Sequence, residues 1–305
     1  MEPVKTRLLV ADSPRGKPRP FCPDQRVLHS SRGAPWDEAI ALELVRLPGG
    51  TESGRCFSMV QAVVIHLRQQ DDDYFATERL INGRFRKLKL WPEDIQISPL
   101  GKELGERWKP WRECLGIAPH AAFVERTAWD AFNMDRVDLV PCDGVRDPQI
   151  LHIALALWSE VQSGYPGGRM YGESLALALV IRLLCSYSTS PRKLPEVKGG
   201  MPRRLLRQTV DYINQNLTTS LRLNDLASNV NMSSYHFCRQ FKQSMGLPPH
   251  QYVLQQRVAR AKRMLIEGRQ SIAEISAELG FSDQSHFSNI FHRVTGTSPR
   301  QFRSN

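Results

Sequence analysis

The chain has 305 residues, a formal charge of +10, 41% hydrophobic residues and 24% charged residues. This composition is typical of globular proteins and excludes wholesale disorder or a fibrous architecture. The length suggests about two domains. The longest apolar stretch, Leu175 to Cys185, is too short to cross a bilayer, and the N-terminus has no run of signal-peptide type. We therefore expect a cytoplasmic protein that does not contact a membrane.

The positive charge is unevenly distributed along the chain. Residues 1–188 contain 24 Lys and Arg against 24 Asp and Glu, whereas residues 203–305 contain 14 against six. A neutral region followed by a basic one favours nucleic-acid binding, because neutralisation of phosphates is the main non-specific contribution to affinity. From charge alone, a basic and merely solvated surface is an equal alternative.

The N-terminal half predicts a small β-domain. Residues 1–20 contain four prolines and are expected to form a flexible tail. Between about 25 and 140, β-type runs are separated by turn signals. The clearest runs are 39–47, 57–67, 75–81 and 84–90. Asn82-Gly83 lies between the last two runs, and this pair is a strong signal for a hairpin because both residues tolerate positive φ.

From Pro148 the pattern becomes helical. Ile150–Gln162 has an apolar face of helical spacing, and Ser174–Tyr187 is a second, strongly apolar helix. We expect residues 21–187 to form one domain and residues 188–202, with three prolines and a Gly pair, to form a linker. The predicted fold class is α+β, with an all-α domain at residues 203–305.

The all-α region contains an internal repeat. Residues 223–233 match residues 272–282 at an offset of 49, and the offset becomes 50 after an extra residue near Asp283. Each copy predicts a short helix, a turn at Asn231 or Gly280, and a second helix opened by a serine cap. This is a helix-turn-helix, whose second helix fits the major groove of DNA. Two helical hairpins with ordinary solvated faces are the alternative.

The second helix of each copy has an inner apolar face and an outer polar face. Phe237, Phe241, Phe287 and Phe291 are expected to face inward. The outer faces are rich in residue types that read base edges. In the first copy they carry Ser234, Tyr235, Cys238, Arg239 and Lys242, and in the second Gln284, Ser285, Ser288, Asn289 and His292. Between the copies, residues 249–267 predict one long helix that can hold the two reading helices about one DNA turn, ~34 Å, apart.

Two long segments resemble a known family. Residues 280–303 are similar to the second helix-turn-helix of the AraC/XylS transcription regulators, and residues 232–246 with Pro249 and Tyr252 to the first. The resemblance implies two helix-turn-helix subdomains joined by the long helix and reading consecutive major grooves. It also implies a sequence-specific regulator, an activator or a repressor, with double-stranded DNA, RNA polymerase and a second copy of the chain as partners.

The resemblance assigns roles to individual residues. The base-reading positions fall on Ser234, Tyr235, Cys238, Arg239, Gln284, Ser285, Ser288 and Asn289. Phosphate contacts are expected from Ser233, Lys242, Ser282, His292 and Arg293. Two residues depart from the family pattern, since Asn289 and His292 stand where basic residues are usual. For Cys238, a packing role is weighed equally with base reading.

The N-terminal region is similar to the cupin-like sensor domains of the same family. That resemblance implies a β half-barrel that binds a small effector, followed by a two-helix dimerisation element. The apolar helix Leu175–Cys185 could instead pack internally. Trp36, Tyr74, Phe85, Trp91, Trp108 and Trp111 could line a pocket, although core packing is the favoured interpretation. The runner-up function is a DNA-binding regulator whose N-terminal domain dimerises without binding a ligand.

An enzyme is disfavoured. A metal-dependent cupin needs clustered ligands, but His29, His66 and His120 are isolated and no His-x-His pair occurs. His66 is interpreted as a satisfied sheet histidine. The six cysteines form no Cys-x-x-Cys pair, so reduced thiols are expected. No Gly-x-Ser-x-Gly, His-Glu-x-x-His, Walker or Gly-x-Gly-x-x-Gly motif is present. We expect no catalysis, no metal and no cofactor.

Overall fold

The computed structural model describes residues 6–69, 74–81, 83–191, 199–268 and 270–304. The chain divides into two compact units. The first comprises Met1–Val161 and Leu175–Leu194, and the second comprises Gln162–Ser174 and Pro195–Asn305. None of the helices in the described ranges is long and apolar enough to span a membrane.

Antiparallel strands dominate the first unit. Their bounds are β1 Leu9–Ala11, β2 Arg19–Pro20, β3 Arg26–Ser30, β4 Ile40–Leu47, β5 Thr51–Glu52, β6 Cys56–Ser58, β7 Ala62–Gln69, β8 Phe75–Ile81, β9 Arg84–Leu90, β10 Ile95–Ser98, β11 Glu103–Leu104, β12 Glu106–Trp108, β13 Arg112–Pro119 and β14 Cys142–Val145. They form three sheets with the orders β11-β6-β1-β2, β14-β10-β7-β13-β4-β3 and β5-β12-β8-β9.

The six-stranded sheet forms the centre of the unit. Every residue of β13 is buried, because β13 lies between β4 and β7 and both of its faces are covered. The register of this sheet aligns Gln96 with Val64, and Val64 with Gly116. His66 aligns with Cys114. Side chains of alternate residues therefore share one face of the sheet.

The predicted β-runs are confirmed in large part. Strands β8 and β9 form a hairpin with Ile81 paired to Arg84. Gly83 has a φ of 75°, as the turn requires, while Asn82 lies outside the described residues. The run 57–67 is two strands, β6 and β7, in different sheets. Residues 6–20, expected as a flexible tail, contain β1 and β2, which pair with each other.

A mixed α/β first unit is therefore confirmed, but the described strands do not close into one barrel. The cupin-like half-barrel stays a prediction. One helix in this unit was not predicted. Helix α1, Ala121–Phe132, begins after His120 and ends at Asn133 in the left-handed conformation, with φ of 53°. Its apolar residues lie among runs that look like β-strands, which conceals its helical period.

Two further helices follow. Helix α2 spans Pro148–Gln162, as predicted, and helix α3 spans Gly168–Ser186, six residues earlier than predicted at its start. Val180 and Leu184 of α3 pack against Val124 and Ala128 of α1. This part of the apolar helix therefore has an internal partner. Asp147 accepts hydrogen bonds from the backbone N–H of Ile150, from Arg182 Nε (2.8 Å) and from Tyr187 Oη (2.9 Å).

The second unit is helical, as the sequence predicts. Its further helices are α4 Arg203–Gln215, α5 Leu223–Asn229, α6 Ser234–Met245, α7 Pro249–Glu267, α8 Ile272–Glu278, α9 Gln284–Thr295 and α10 Pro299–Ser304. Helix α7 is the predicted long helix. Pro249 occupies its first turn, where no backbone N–H is needed, and Gly268 ends it with a φ of 67°. Residues 192–198 of the predicted linker lie outside the described residues.

Candidate nucleic-acid interface

Helix α6 is the second helix of the first helix-turn-helix, and it begins at a serine cap as predicted. The Ser233 hydroxyl accepts a hydrogen bond from the backbone N–H of His236 (3.3 Å). At the other end, Gly246 adopts the left-handed conformation with a φ of 75°. These two residues fix where the helix starts and stops. Because the Ser233 hydroxyl is the acceptor in this bond, its own proton can still be donated to another group.

The cap of α9, in the second copy, differs from the prediction. Asp283 caps this helix by accepting from the backbone N–H of His286 (2.7 Å), so the prediction of a serine cap at Ser282 is wrong. Ser282 instead donates its hydroxyl proton to Asp283 Oδ2 (3.2 Å). The extra residue recognised in the repeat is thus the capping residue itself. The carboxylate is also better placed than a hydroxyl to interact with the helix dipole.

The inner faces of both helices are confirmed. Phe237, Phe241, Phe287 and Phe291 are fully buried. Phe241 contacts Tyr252 of α7 edge to face, with ring centroids 5.5 Å apart. The second copy has a core cluster to which α7 contributes Val258, Ala261 and Leu265. Because each copy packs on α7, the long helix belongs to both cores.

The outer face of α6 is less exposed than predicted. Lys242 is exposed, whereas Ser234, Cys238 and Arg239 are half-buried. Tyr235 is only 5% exposed, so the prediction that it belongs to an exposed stripe is wrong. Its hydroxyl accepts a hydrogen bond from Arg239 Nη1 (2.6 Å), and the guanidinium lies 5.6 Å from the Tyr235 ring centroid. Tyr235 therefore orients Arg239 on the surface of the helix.

Cys238 lies one turn from Ser234 on the same helix. Burial raises the pKa of its thiol to about 12, so the thiol is protonated at neutral pH. A neutral, half-buried thiol offers only a weak hydrogen-bond donor. This environment favours the packing role that the sequence left open.

The outer face of α9 is open. Gln284, Ser285, Asn289, His292 and Arg293 are exposed, as is Ser282 in the preceding turn. Ser288 is half-buried and donates its hydroxyl proton to the carbonyl of Gln284 (2.8 Å). The amide side chains of Gln284 and Asn289 have the donor and acceptor pair that reads adenine. The polar groups of this face are therefore available to a ligand outside the chain.

Arg257 of α7 connects the two copies, a role that sequence reasoning missed. Its Nε donates to the carbonyl of Leu217 (3.0 Å) and its Nη2 to that of Thr219 (2.9 Å), both before α5. Its Nη1 donates to the carbonyl of Gly280, in the turn of the second copy (2.9 Å). Burial lowers its pKa to about 10, which still leaves it charged at neutral pH. The signal in the sequence that could have indicated this role is a basic residue on the inward side of a long predicted helix.

The first unit contains a cavity of ≈ 90 Å³. Its walls come from all three sheets, and most of the lining is apolar. The polar lining residues are Gln25, Ser58, His66, Arg79, Gln96, Ser98, Glu106, Arg112 and Cys114. The aromatic residue in the lining is Phe21, and none of the six aromatic residues considered from sequence is part of it. Trp108 is nevertheless next to it, since the Arg112 guanidinium lies 4.7 Å from its ring centroid.

Buried ion pairs connect the walls of this cavity. Arg112 Nη1 donates to Glu106 Oε1 (2.8 Å), and both side chains are at most 3% exposed. Burial alone would raise the pKa of Glu106, but Arg112 and Arg79 outweigh it and hold the pKa at about 2. Arg79 also pairs with Asp143. Glu106 is therefore ionised at neutral pH, and the two arginines are charged.

His66 lies in this wall rather than in a fully bonded sheet position. Burial and the nearby Arg112 lower its pKa to about 3, so the ring is neutral. Burial likewise raises the pKa of Cys114 to about 12, and its thiol lies 3.6 Å from His66 Nδ1. His66 Nδ1 contacts the Cys114 thiol and Gln96 interacts with the ring, but Nε2 has no hydrogen bond of full geometry in the described part of the chain, so the satisfied sheet histidine is confirmed only in part. The described residues contain no group of three His, Cys, Asp or Glu side chains suited to a metal.

The second unit has the geometry of a tandem helix-turn-helix protein: two capped helices on one shared long helix. Residues 226–305 match a protein-family profile described as a helix-turn-helix domain. The chain is 33% identical over 218 residues to the MmsAB operon regulatory protein of Pseudomonas aeruginosa, covering 65% of this chain and 69% of that protein. It is 26% identical over 239 residues to the arabinose operon regulatory protein of Salmonella typhimurium, covering 74% and 80%.

A third relative matches the C-terminal part alone. Probable transcriptional regulator LumQ of Photobacterium leiognathi is 36% identical over 93 residues, which cover 30% of this chain and 38% of that protein. The long alignment with the MmsAB operon regulatory protein covers both units of the chain. The chain belongs to the AraC/XylS family of transcriptional regulators.

Proposed function

We propose that this regulator binds one operator through α6 and α9 in consecutive major grooves, and that a small molecule bound in the first unit controls it. The observation that carries the first part is the polar outer face of two capped helices built on one shared helix. Arg257 supports a fixed arrangement of the two copies through its three backbone carbonyl contacts.

Within the interface we assign different roles to the exposed and half-buried side chains. Arg239, Gln284, Ser285 and Asn289 read base edges, and Ser234 and Ser288 make secondary contacts. Lys242, His292, Arg293 and the hydroxyls of Ser233 and Ser282 approach phosphates. Tyr235 contributes indirectly, by orienting Arg239 towards the DNA. Cys238 has a packing role within the domain. Residues with exposed donors and acceptors on the same helix face are the ones that a groove can reach.

Control by a small molecule is supported by the cavity of the first unit. A cavity that contains unpartnered polar atoms is costly for the protein alone, because a buried group without a hydrogen bond loses its hydration. A domain that served only for dimerisation would gain nothing from buried polar atoms without hydrogen bonds. This favours the sensor over the runner-up, in which the N-terminal domain dimerises without a ligand.

The proposed assembly is a homodimer that recruits RNA polymerase. Its proposed target is an operon, in line with the names of the two relatives that have the longest alignments given above. The exposed Leu155 and Trp129 of α2 and α1 are candidates for the dimer surface. No catalytic step is part of the proposal. The domain boundaries 21–187, 188–202 and 203–305 are retained as the proposed functional division of the chain, with β1 added to the first domain because it pairs with β6 and lines the cavity.

The test is binding to DNA selected from a random pool by the purified full chain at ~0.15 M salt, with a scrambled duplex of equal length as the control. We expect the selected duplex to bind at least about 1000-fold more tightly than the scrambled one. Equal affinity for the two would contradict the proposal. Sedimentation of the free protein and of its DNA complex measures the dimer separately.

A further inference from the structure

Three nitrogen atoms in the cavity of the first unit have no hydrogen-bond partner in the described residues. They are His66 Nε2, Gln96 Nε2 and Arg112 Nε. The three residues are 0%, 4% and 2% exposed, and all three line the cavity. They lie on the adjacent strands β7, β10 and β13 of one sheet.

All three atoms are donors. Amide and guanidinium N–H groups donate only. The protonated Cys114 thiol lies beside His66 Nδ1, and in the tautomer in which Nδ1 accepts from this thiol the proton of the neutral ring is on Nε2. Gln96 makes a hydrogen-bonding contact with His66 that offsets part of the lowering of the His66 pKa by burial, but neither His66 Nε2 nor Gln96 Nε2 has a hydrogen bond of full geometry in the described residues. The wall of the cavity therefore presents N–H donors that have no hydrogen-bond acceptor within it.

The unpaired groups of the lining favour an anion, although its fixed charges balance. Arg112 pairs with Glu106, and Arg79 pairs with Asp143, which lies outside the lining. The Arg112 guanidinium nevertheless keeps Nε without an acceptor in the described residues. Charged hydrogen bonds in a buried site are stronger than neutral ones, so a carboxylate gains more than a carbonyl from the same donors.

The rest of the cavity is apolar and small. Leu8, Val10, Phe21, Val45, Leu47 and Leu104 contribute to the lining. A volume of ≈ 90 Å³ is several times the space that one water molecule needs, and it suits a small metabolite. Leu8 closes over the sheet at Gly116, where an added Cβ would be 2.0 Å from Leu8 Cδ1. This leaves room for a short hydrocarbon group and a single polar head.

We propose that the effector is a small monocarboxylate, whose carboxylate accepts hydrogen bonds from Gln96, His66 and Arg112 while its short apolar part contacts the leucine and valine side chains. This inference rests on the proposed control of the regulator by a small molecule, and it names the chemical class. The ion pair of Arg112 with Glu106 stays in place and orients the free Nε towards the ligand.

The test is thermal unfolding of the full chain with butyrate, isovalerate and benzoate, each compared with its matched amide. Butyramide, isovaleramide and benzamide keep the size and remove the charge. At about 100 times the dissociation constant, a bound acid should raise the melting temperature by about 5 °C or more. We expect at least one acid to do so, and its amide to have no effect. No shift with any acid, or equal shifts with acid and amide, would overturn the assignment.

Substitution of Gln96 tests the site itself. Gln96→Leu removes the donor and should weaken binding of the active acid about 10- to 100-fold, as for loss of a hydrogen bond to a charged group. Gln96→Met is a second variant with an unbranched side chain that fits the same space. The matched control, Gln149→Leu, changes an exposed glutamine of α2 and should leave affinity unchanged. Unchanged affinity in a folded Gln96 variant contradicts the proposal.

Selective DNA binding by the unliganded protein separates this inference from the proposed function. If the chain selects DNA but no acid binds, the carboxylate assignment fails alone. If an acid binds but the chain selects no DNA, the proposed function fails and the ligand class stands.

Discussion

Arg257 and Gly280 are in contact across the two helix-turn-helix copies: Arg257 Nη1 donates to the Gly280 carbonyl at 2.9 Å. Gly280 has a φ of 68°, and a Cβ built there would lie 2.9 Å from Arg257 Nη2. A side chain at this position is therefore disfavoured twice, by the left-handed backbone conformation and by the guanidinium, which would have to move. The turn glycine of the second copy and the arginine of the long helix depend on each other.

The first prediction concerns Gly280→Ala. This variant should lower the free energy of unfolding by about 2–3 kcal/mol, because alanine adds left-handed strain and displaces Arg257. Gly296→Ala is the control, since Gly296 also has a positive φ but has nothing within 4 Å of the added Cβ. The Gly296→Ala variant should lower the free energy of unfolding by only about 1 kcal/mol. Urea unfolding of the full chain measures both, and equal losses would show that the Arg257 contact contributes nothing.

The second prediction concerns Arg257→Lys. A single ammonium group cannot replace a planar fork that reaches three carbonyls, so the two copies should lose their fixed spacing. Affinity for an operator with both half-sites should fall at least about tenfold, while affinity for either half-site alone changes little. Arg263→Lys, at an exposed position of the same helix, is the control. Fluorescence anisotropy with the three duplexes provides the measurement; a uniform loss for all three would contradict a spacing role.

The third prediction separates base reading from phosphate contact on α6. Arg239→Ala should cost about 1–3 kcal/mol on the selected operator and relax preference at one base pair. Tyr235→Phe keeps the ring but removes the hydroxyl that accepts from Arg239, so it should cause a smaller loss at that same base pair. Selection from a partly randomised operator identifies the position. If preferences are unchanged in Arg239→Ala, this residue does not read a base.

The fourth prediction concerns Lys242→Ala on the exposed end of α6. It should weaken binding to all sequences alike and reduce the salt dependence of affinity by about one released counterion. Affinity is measured between ~0.05 and ~0.2 M salt on the selected and scrambled duplexes. An unchanged slope would rule out a phosphate contact by this lysine.

The fifth prediction is a pH dependence that arises from His66. Its pKa is about 3 in the folded protein and about 6.5 when unfolded, so the unfolded chain binds an extra proton between these values. The associated stability is fully present above about pH 6.5 and is lost as the pH falls towards 3, at up to about 1.4 kcal/mol per pH unit. His66→Phe should flatten the curve between pH 6.5 and 4, and exposed His292→Phe should not. Parallel curves for all three proteins would contradict this assignment.

Local signals in the sequence predicted much of this structure. Pro249 and the Gly268 cap define α7 within the chain itself, and turn residues between β8 and β9 define their hairpin. The fold of the second unit and its inner phenylalanines follow from the repeat. These features depend on residues close together in sequence, so periodicity and caps are sufficient to find them.

The features that could not be predicted from the sequence depend on tertiary contacts. The burial of Tyr235 follows from the exact rotation of α6 on its core, which an apolar period defines only to within part of a turn. The start of α3 at Gly168 was concealed by glycines that read as a turn. The cavity donors come from strands that are distant in sequence, and their register cannot be inferred from one chain. His66 therefore looked like an ordinary sheet residue.

Helix α7 also determines how the second unit comes apart. Tyr252 packs into the core of the first copy, and Leu265 into that of the second. Neither copy can lose its structure while α7 remains folded without exposing part of an apolar face, so local opening of one copy destabilises the other. Amide hydrogens in the middle of α7 should then exchange only through global unfolding of the unit, and those of α10 much sooner. The two helix-turn-helix copies are duplicated in sequence, yet the shared helix predicts that they unfold as one cooperative unit.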